Sequence, residues 1–266
     1  MKIPVYEAVE FKKILQDGGS TKPWLVEISV ADKTEPYVVK VFKTTTLSQY
    51  PAIANEVFAN ILAKELGLSV PSIALVNFSD AFITTLSEQE RKLVTGNFID
   101  NRIKFASLYV SNTQIYSWAS SDLDDWDIAG IYAFDNLIYN SDRKTIKPNL
   151  LLDMYNENYY LIDHELSINI INNNYITKIQ KKEWLYNFKN HIFYEYLKIL
   201  PSQDKQDIFA HFIEFFRHIS VNCLDQANQQ LISYGHDTTL SYFKSYLVYL
   251  KNNTSLFEEI LQQQIQ

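Results

Sequence analysis

The order in which hydrophobic periodicity changes along this chain is its strongest constraint. β-prone runs fill the first third, and helical spacing takes over from about residue 112. "PWLVEISV" (23–30) and "PYVVKVF" (36–42) predict two strands joined through "ADKTE" as a hairpin. "AIANEVFANILAKELG" (52–67) sets Val57, Ile61, Leu62 and Leu66 at helical spacing and ends at Gly67, a C-cap candidate, with Pro71 beyond. "SIALVNF" and "AFITTL" predict two further strands. "SSDLDDWDIAGIYAFDNLIYN" (120–140) predicts a helix with Ser and Asp caps, an acid-rich first turn and a buried stripe of Trp126, Ala129, Ala133 and Leu137. "NLLLD" and "NYYLIDHE" predict short strands around the turn "MYNEN"; "NNNY" (172–175) predicts another turn, and the stretch from about 180 to 266 predicts helices. Sheet first and helices after define an α+β chain with two lobes, a β-rich lobe at 1–111 and a helical lobe at 112–266.

A chain of 266 residues, 47% hydrophobic and 21% charged, is long and apolar enough to bury a core. The net charge of −7 argues against a nucleic-acid footprint over the whole surface. Cys223 is the single cysteine, so the chain has no internal disulfide framework or thiolate metal cluster; a buried core position is its simplest reading. The five histidines have no HExxH spacing. The start "MKIPVYEAVEFKKI" lacks the apolar core of a signal peptide and no run of 18 apolar residues occurs, so the expectation is a cytoplasmic protein without a membrane span.

Four features could carry chemistry. Lys40 ends a β-branched run and Glu56 opens the next helical pattern; they form either an ammonium–carboxylate pair held against phosphate oxygens or an ordinary edge lysine and a solvated glutamate. "DGGSTKP" (17–23) contains Gly18, Gly19 and Ser20, which suit a backbone anion cradle or a plain flexible turn; the order is not that of a Walker A loop. Asp142 stands between a helix and a strand, and Asp163 ends the strand run of "LIDHE". Each aspartate alone is a common turn residue. Together, a lysine–glutamate pair and two carboxylates match the inventory of phosphoryl transfer, which needs cations on the phosphates and an aspartate near the attacking hydroxyl.

"GGSTKPWLVEI", "YVVKVF", "NEVFANILAKELGLSVP", "IKFASLYV", "FDNLIYNSDRKTIKPNLLL" and "LIDHE", in that order, resemble the HipA-like kinases, a bacterial branch of the protein-kinase-like fold with affinities to phosphatidylinositol kinases. The resemblance covers about residues 15–170. It implies a two-lobed kinase fold binding ATP and Mg2+ between the lobes, with Lys40 as the ATP-binding strand lysine, Glu56 as its helix partner, and Gly18, Gly19 and Ser20 near the phosphates. It makes Asp142 the catalytic aspartate and Asp163 the metal-binding aspartate. Arg143 would support the loop, orienting it or pairing with a carboxylate or phosphate. "IKFASLYV" (103–110) would be the connection region.

One position departs from the family. Where its loop commonly reads DR, three residues, then NPN, this chain reads "DRKTIKPN", with Lys147 in place of the metal-ligating asparagine. A protonated lysine has no lone pair for magnesium. Asn149 supplies the amide oxygen instead, or Lys147 itself neutralises phosphate charge and Asp163 holds the metal, or catalysis is lost. The resemblance implies transfer of the ATP γ-phosphate to serine or threonine of a protein by a toxin-type kinase whose antitoxin partner would be a separate chain, as no DNA-binding helix-turn-helix is recognisable. A lipid or small-molecule alcohol stays open as acceptor. The opposing class is an inactive nucleotide-binding or protein-interaction module, and last comes a structural protein built on the aromatic helices of 184–249.

Overall fold

Strands dominate the first part of the chain and helices the last, with helices between 44 and 95 set among the early strands and short strands at 113–115 and 150–161 flanking the helix at 125–138. The computed structural model describes residues 1–15, 21–118, 123–156, 158–169, 171, 174–181, 183–184 and 186–266. The first part of the chain runs β1 (Val5–Ile14), β2 (Trp24–Val30), β3 (Lys33–Val39), α1 (Thr44–Gln49), α2 (Ala52–Glu65), β4 (Ile73–Asn77), α3 (Asp80–Thr85), α4 (Glu88–Thr95) and β5 (Lys104–Leu108). It continues through β6 (Thr113–Ile115), α5 (Asp125–Ile138), β7 (Leu150–Asp153), β8 (Tyr159–Leu161), α6 (Tyr175–Gln180), α7 (Tyr194–Ile199), α8 (Ser202–Lys205), α9 (Ala210–His218), α10 (Asp225–Ser233), α11 (Leu240–Lys251) and α12 (Thr254–Ile265). The architecture is two-lobed α+β, with a β-rich N-terminal region and a helix-rich C-terminal lobe. Among the described residues, no helix is long and apolar enough to cross a membrane.

Two compact units divide the chain. The first comprises Met1–Val57, Pro71–Ser111 and Asp225–Thr238. Its sheet closes into a barrel of order β1-β2-β3-β5-β4, with β1 and β4 parallel and the other neighbours antiparallel. Closure leaves no open edge among these strands. Trp24, Val26 and Ile28 alternate on β2, Tyr37 and Val39 on β3, and all five point into one core with Ala8, Ala74, Val76 and Ala106. The β2–β3 hairpin is tighter than expected: Val30 pairs with Lys33, so the turn is Ala31–Asp32 alone, with Ala31 at φ +51°. "AFITTL" is helix α3 rather than a strand. Ser79 caps it by accepting the Phe82 N–H at 3.3 Å, and Phe82 is buried in the barrel core, so a cap and one anchor override β-branched propensity. Helix α10 belongs to this unit through Gln230, whose side chain accepts the Ile3 N–H at 2.9 Å and donates to the Ile3 carbonyl at 2.8 Å.

The second unit comprises Phe58–Val70, Asn112–Leu224 and Thr239–Gln266, so the division falls inside α2. Its centre is α5, buried on every side from Ile128 to Ile138. The expected stripe is corrected at its first member: Trp126 is half exposed, and the buried surface begins at Ile128. Asp124 caps α5 by accepting the Asp127 N–H at 2.8 Å, while the serine candidates at 120 and 121 lie outside the described residues, as do 172 and 173 of the "NNNY" turn. Strands β6, β7 and β8 form a small antiparallel sheet in that order. Within the stretch 182–200, where helical spacing was expected, the described residues form a 3-10 turn, Phe188–Asn190, and the short helix α7. Aromatic packing accounts for part of that irregularity: Tyr139, Tyr175, Trp184, Tyr246 and Phe257 form a chain of ring contacts with centroids 4.9–6.4 Å apart. Cys223 is partly buried in a 3-10 turn rather than in the core.

Candidate functional site

The loop that carries Asp142 is mounted on the end of α5. That helix stops at Tyr139, which takes the left-handed conformation (φ +59°) without a glycine. Asn140, fully buried, then donates from Nδ2 to Asp135 Oδ1 at 2.9 Å and accepts the Asp142 N–H on Oδ1 at 3.2 Å. Within the loop, Lys144 and Lys147 exchange backbone hydrogen bonds at 3.0 Å each, and the Ile192 N–H donates to the Arg143 carbonyl at 3.1 Å. The segment is therefore tied down from inside and from the 188–192 side.

Arg143 supplies the central anchor. Its guanidinium is completely buried: Nε donates to Asp135 Oδ2 at 2.5 Å, and Nη1 donates to the carbonyls of Pro148 (3.2 Å) and Asn149. Nη2 lies 3.3 Å from His164 Nε2, and His191 Nε2 completes the set 2.9 Å from Asp135 Oδ2. Burial alone would raise the Asp135 carboxyl, but Arg143 and His191 outweigh it and bring it down to about 2. Burial pushes His191 below its ordinary value despite Asp135, and its Nδ1 accepts the Phe193 N–H at 3.1 Å, which leaves Nε2 to donate toward Asp135. Enclosed in this way, the Arg143 guanidinium ties Asp135 on α5 to the carbonyls of Pro148 and Asn149 at the end of the loop. Asp135, His191 and Asn140 were not singled out from the sequence. An aspartate at 135 following the apolar helical run Ile128–Phe134 is the signal that could have found the first of them.

Asp142, Lys147, Asn149 and Asp163 come together. The Lys147 ammonium lies 2.5 Å from Asp142 Oδ2 and 2.8 Å from Asp163 Oδ2, bridging both carboxylates. Burial would lower the Lys147 pKa, but Asp163 and Asp142 raise it above its ordinary value, so the group is a fixed cation. Asn149 donates from Nδ2 to Asp142 Oδ2 at 3.3 Å, and its carbonyl accepts the Ile162 N–H at 3.1 Å, which fixes the strand end before Asp163. Both Asn149 (φ +48°) and Asp163 (φ +63°) are left-handed, a conformation that short polar side chains tolerate best and that clusters at functional sites. Lys144 Nζ lies 4.0 Å from Asp142 Oδ1.

Asp163 and the buried Glu165 each offer a carboxylate oxygen, the two atoms within 4.8 Å of one another. Hard oxygen donors of this kind fit Mg2+, so this acidic pair is able to hold a divalent ion. Glu165 is a further residue that sequence reasoning passed over; it stands two places after Asp163, which is left-handed rather than extended.

In the first unit, Lys40 follows β3 and continues its pairing, its N–H donating to the Phe105 carbonyl at 3.0 Å. Its ammonium pairs with the Glu56 carboxylate, and both residues are buried. Val57, Ile61 and Leu62, packed on α2, fix the helix from which Glu56 projects. Gly18, Gly19 and Ser20 lie outside the described residues.

A two-lobed α+β fold with a strand lysine on a helix glutamate, and a mounted aspartate loop followed by an acidic strand end, defines the kinase-like class. The model of the HipA-like kinases matches residues 10–223, and the chain belongs to that family. Among solved structures, a Helicobacter pylori proinflammatory kinase CtkA is similar in fold, with a TM-score of 0.51 at 13% identity, covering 98% of both chains. No curated protein sequence matches the chain.

Proposed function

We propose that the protein is an ATP-dependent serine/threonine kinase of HipA-like type. The observation that carries this reading is the closeness of Asp142 and Asp163, both within reach of one ammonium, on a loop held by the buried Arg143–Asp135–His191 anchor. Asp142 orients the acceptor hydroxyl and takes its proton as the oxygen attacks the γ-phosphorus; the bond from that phosphorus to the bridging oxygen breaks, and ADP leaves. Asp163 with Glu165 or Asn149 would hold Mg2+, which when bound would supply charge neutralisation on the phosphates. Lys147 presents an ammonium in place of the family's asparagine, and moves toward phosphate oxygens when they offer more negative charge than the carboxylates it bridges. Lys40, paired with Glu56, offers a second fixed cation for phosphate oxygens. A cytoplasmic location and a separate small antitoxin partner are the associated family-level expectations.

One observation favours a second reading, an inactive nucleotide-binding or protein-interaction module. Lys147 pairs with both aspartates at once, and such a pair, if it never opened, would keep Asp142 from a hydroxyl. Incubation with labelled ATP and magnesium, beside Asp142→Ala and Asp163→Asn, separates the two. Label transferred by the wild-type chain and lost in both variants supports the kinase. Nucleotide binding without transfer, unchanged by Asp142→Ala, supports the inactive module. No nucleotide affinity in any divalent metal removes the kinase reading and leaves only a protein-interaction module.

A further inference from the structure

A cavity of about 580 Å3 in the second unit opens beside the Asp142 loop and is used by none of the groups above as chemistry. Its walls include Trp118, Ile146, Tyr196 and Ile199, and its rim carries Lys144 and Lys189 against a single acid, Glu195. Ile146 is 94% exposed and Ile199 77% exposed, so two aliphatic side chains stand in water around one hollow. Isolated exposed hydrophobics need no explanation, but several facing one concavity mark a binding surface.

The aromatic wall is rigid. Trp118 packs on Phe193 at 5.6 Å and Tyr196 at 5.2 Å, and the Tyr196 hydroxyl donates to Asp125 at 2.5 Å. An anchored, partly exposed tryptophan loses little freedom when a partner covers it. Charge adds direction. The chain as a whole is −7, yet this rim has two ammonium groups to one carboxylate. The cavity is also continuous with the proposed chemistry. Lys144 lines it and reaches to within 4.0 Å of Asp142, and Lys144 pairs through its backbone with His191, another wall residue.

We infer that this cavity docks the acceptor polypeptide, taking a bulky apolar side chain near the target serine or threonine, with an acidic residue of the acceptor meeting Lys144 and Lys189. The inference rests on the kinase reading for the identity of the occupant as acceptor, and its test reads docking separately from transfer. Apolar walls of this size discriminate a large side chain from alanine, and the lysine rim selects against basic neighbours.

The test uses a positional-scanning peptide library with serine or threonine at its centre, applied to the 266-residue chain, Ile199→Glu and Lys189→Glu. Peptide retention, phosphate transfer and affinity for a fluorescent ATP analogue are measured independently. The wild-type chain should retain peptides with a bulky apolar residue and an acidic residue near the hydroxyl. Ile199→Glu should weaken retention of the selected peptide by about tenfold or more. Lys189→Glu should abolish or invert the acidic preference, and nucleotide affinity should stay within about twofold in both, as neither residue belongs to the nucleotide machinery. Retention with this preference but without transfer upholds the docking site and counts against the kinase reading alone. No retention, a preference unchanged in both variants, or label delivered to lipid vesicles or small alcohols without peptide retention overturns the inference.

Discussion

Lys147 is the residue whose removal tests the site most directly. Two unit charges about 4 Å apart interact by about 4 kcal/mol near a protein surface and about 1 kcal/mol in water. The Lys147 side chain is 35% exposed and its contacts to Asp142 and Asp163 are 2.5 and 2.8 Å, which puts it between those limits. Desolvation and side-chain ordering offset much of the attraction. Lys147→Ala should therefore destabilise the metal-free protein by about 1–2 kcal/mol, net of the repulsion left between the two carboxylates. For a unit of this size that corresponds to about 3–6 °C in Tm. Magnesium should recover most of the loss, because the two aspartates no longer hold an internal cation and bind an external one more tightly. The assay is thermal denaturation with and without Mg2+, backed by calorimetric titration of Mg2+ or Mn2+. The Mg2+-induced rise in Tm should be smallest in the wild type, larger in Lys147→Ala and largest in Lys147→Asn, which adds an amide oxygen. Transfer from labelled ATP should survive Lys147→Asn better than Lys147→Ala. An equal response to magnesium in all three chains would refute the reasoning, since Lys147 would then not be competing for the carboxylates at all.

Asp135→Asn should cost about 3–5 kcal/mol, because the fully buried Arg143 guanidinium loses its counter-charge; denaturant titration measures it, and proteolysis within 141–149 should accelerate. The pH dependence has a definite sign. Asp135 (ordinarily 3.8) and His191 (ordinarily 6.5) are both depressed in the folded chain, so their contribution is full above those values and falls with acidification. The urea midpoint should decline from about pH 6.5 downward through the His191 effect, with the Asp135 contribution draining between its ordinary value and about 2. Asp135→Asn should flatten the lowest-pH part of that curve. Gln230→Ala removes two hydrogen bonds to Ile3 and should destabilise by about 2–3 kcal/mol, with faster amide exchange at Ile3 ahead of the global rate.

Local chemistry made part of this protein legible in its sequence. The β-prone runs at 24–30 and 73–77 are strands: Trp24, Val26 and Ile28 alternate into the barrel core, while 73–77 is a short continuous apolar run buried at its first four residues. The spacing in α2 and the acid-rich first turn and largely apolar run of α5 likewise pointed to helices, and Asp142 stood out between that helix and a strand. Where a short-range cap competed with propensity, as at Ser79, reading by runs failed and α3 replaced a strand. The aromatic stretch at 183–199 failed for another reason: rings there satisfy partners far away in the chain, so helical spacing was not a helical face.

Pairings across many residues belong to tertiary structure alone. No local rule joins Asp135 to His191, 56 positions on, or Gln230 to Ile3, 227 positions away. The same holds for the central finding. The sequence determined that Lys147 stands where an asparagine is usual and that it cannot ligate a metal while protonated. Only the folded loop, turned back by the Lys144–Lys147 backbone bonds and by the left-handed residues Asn149 and Asp163, decided what that charge does instead. Its ammonium bridges the two aspartates because the fold, not the spacing, sets carboxylates 21 residues apart within reach of one side chain.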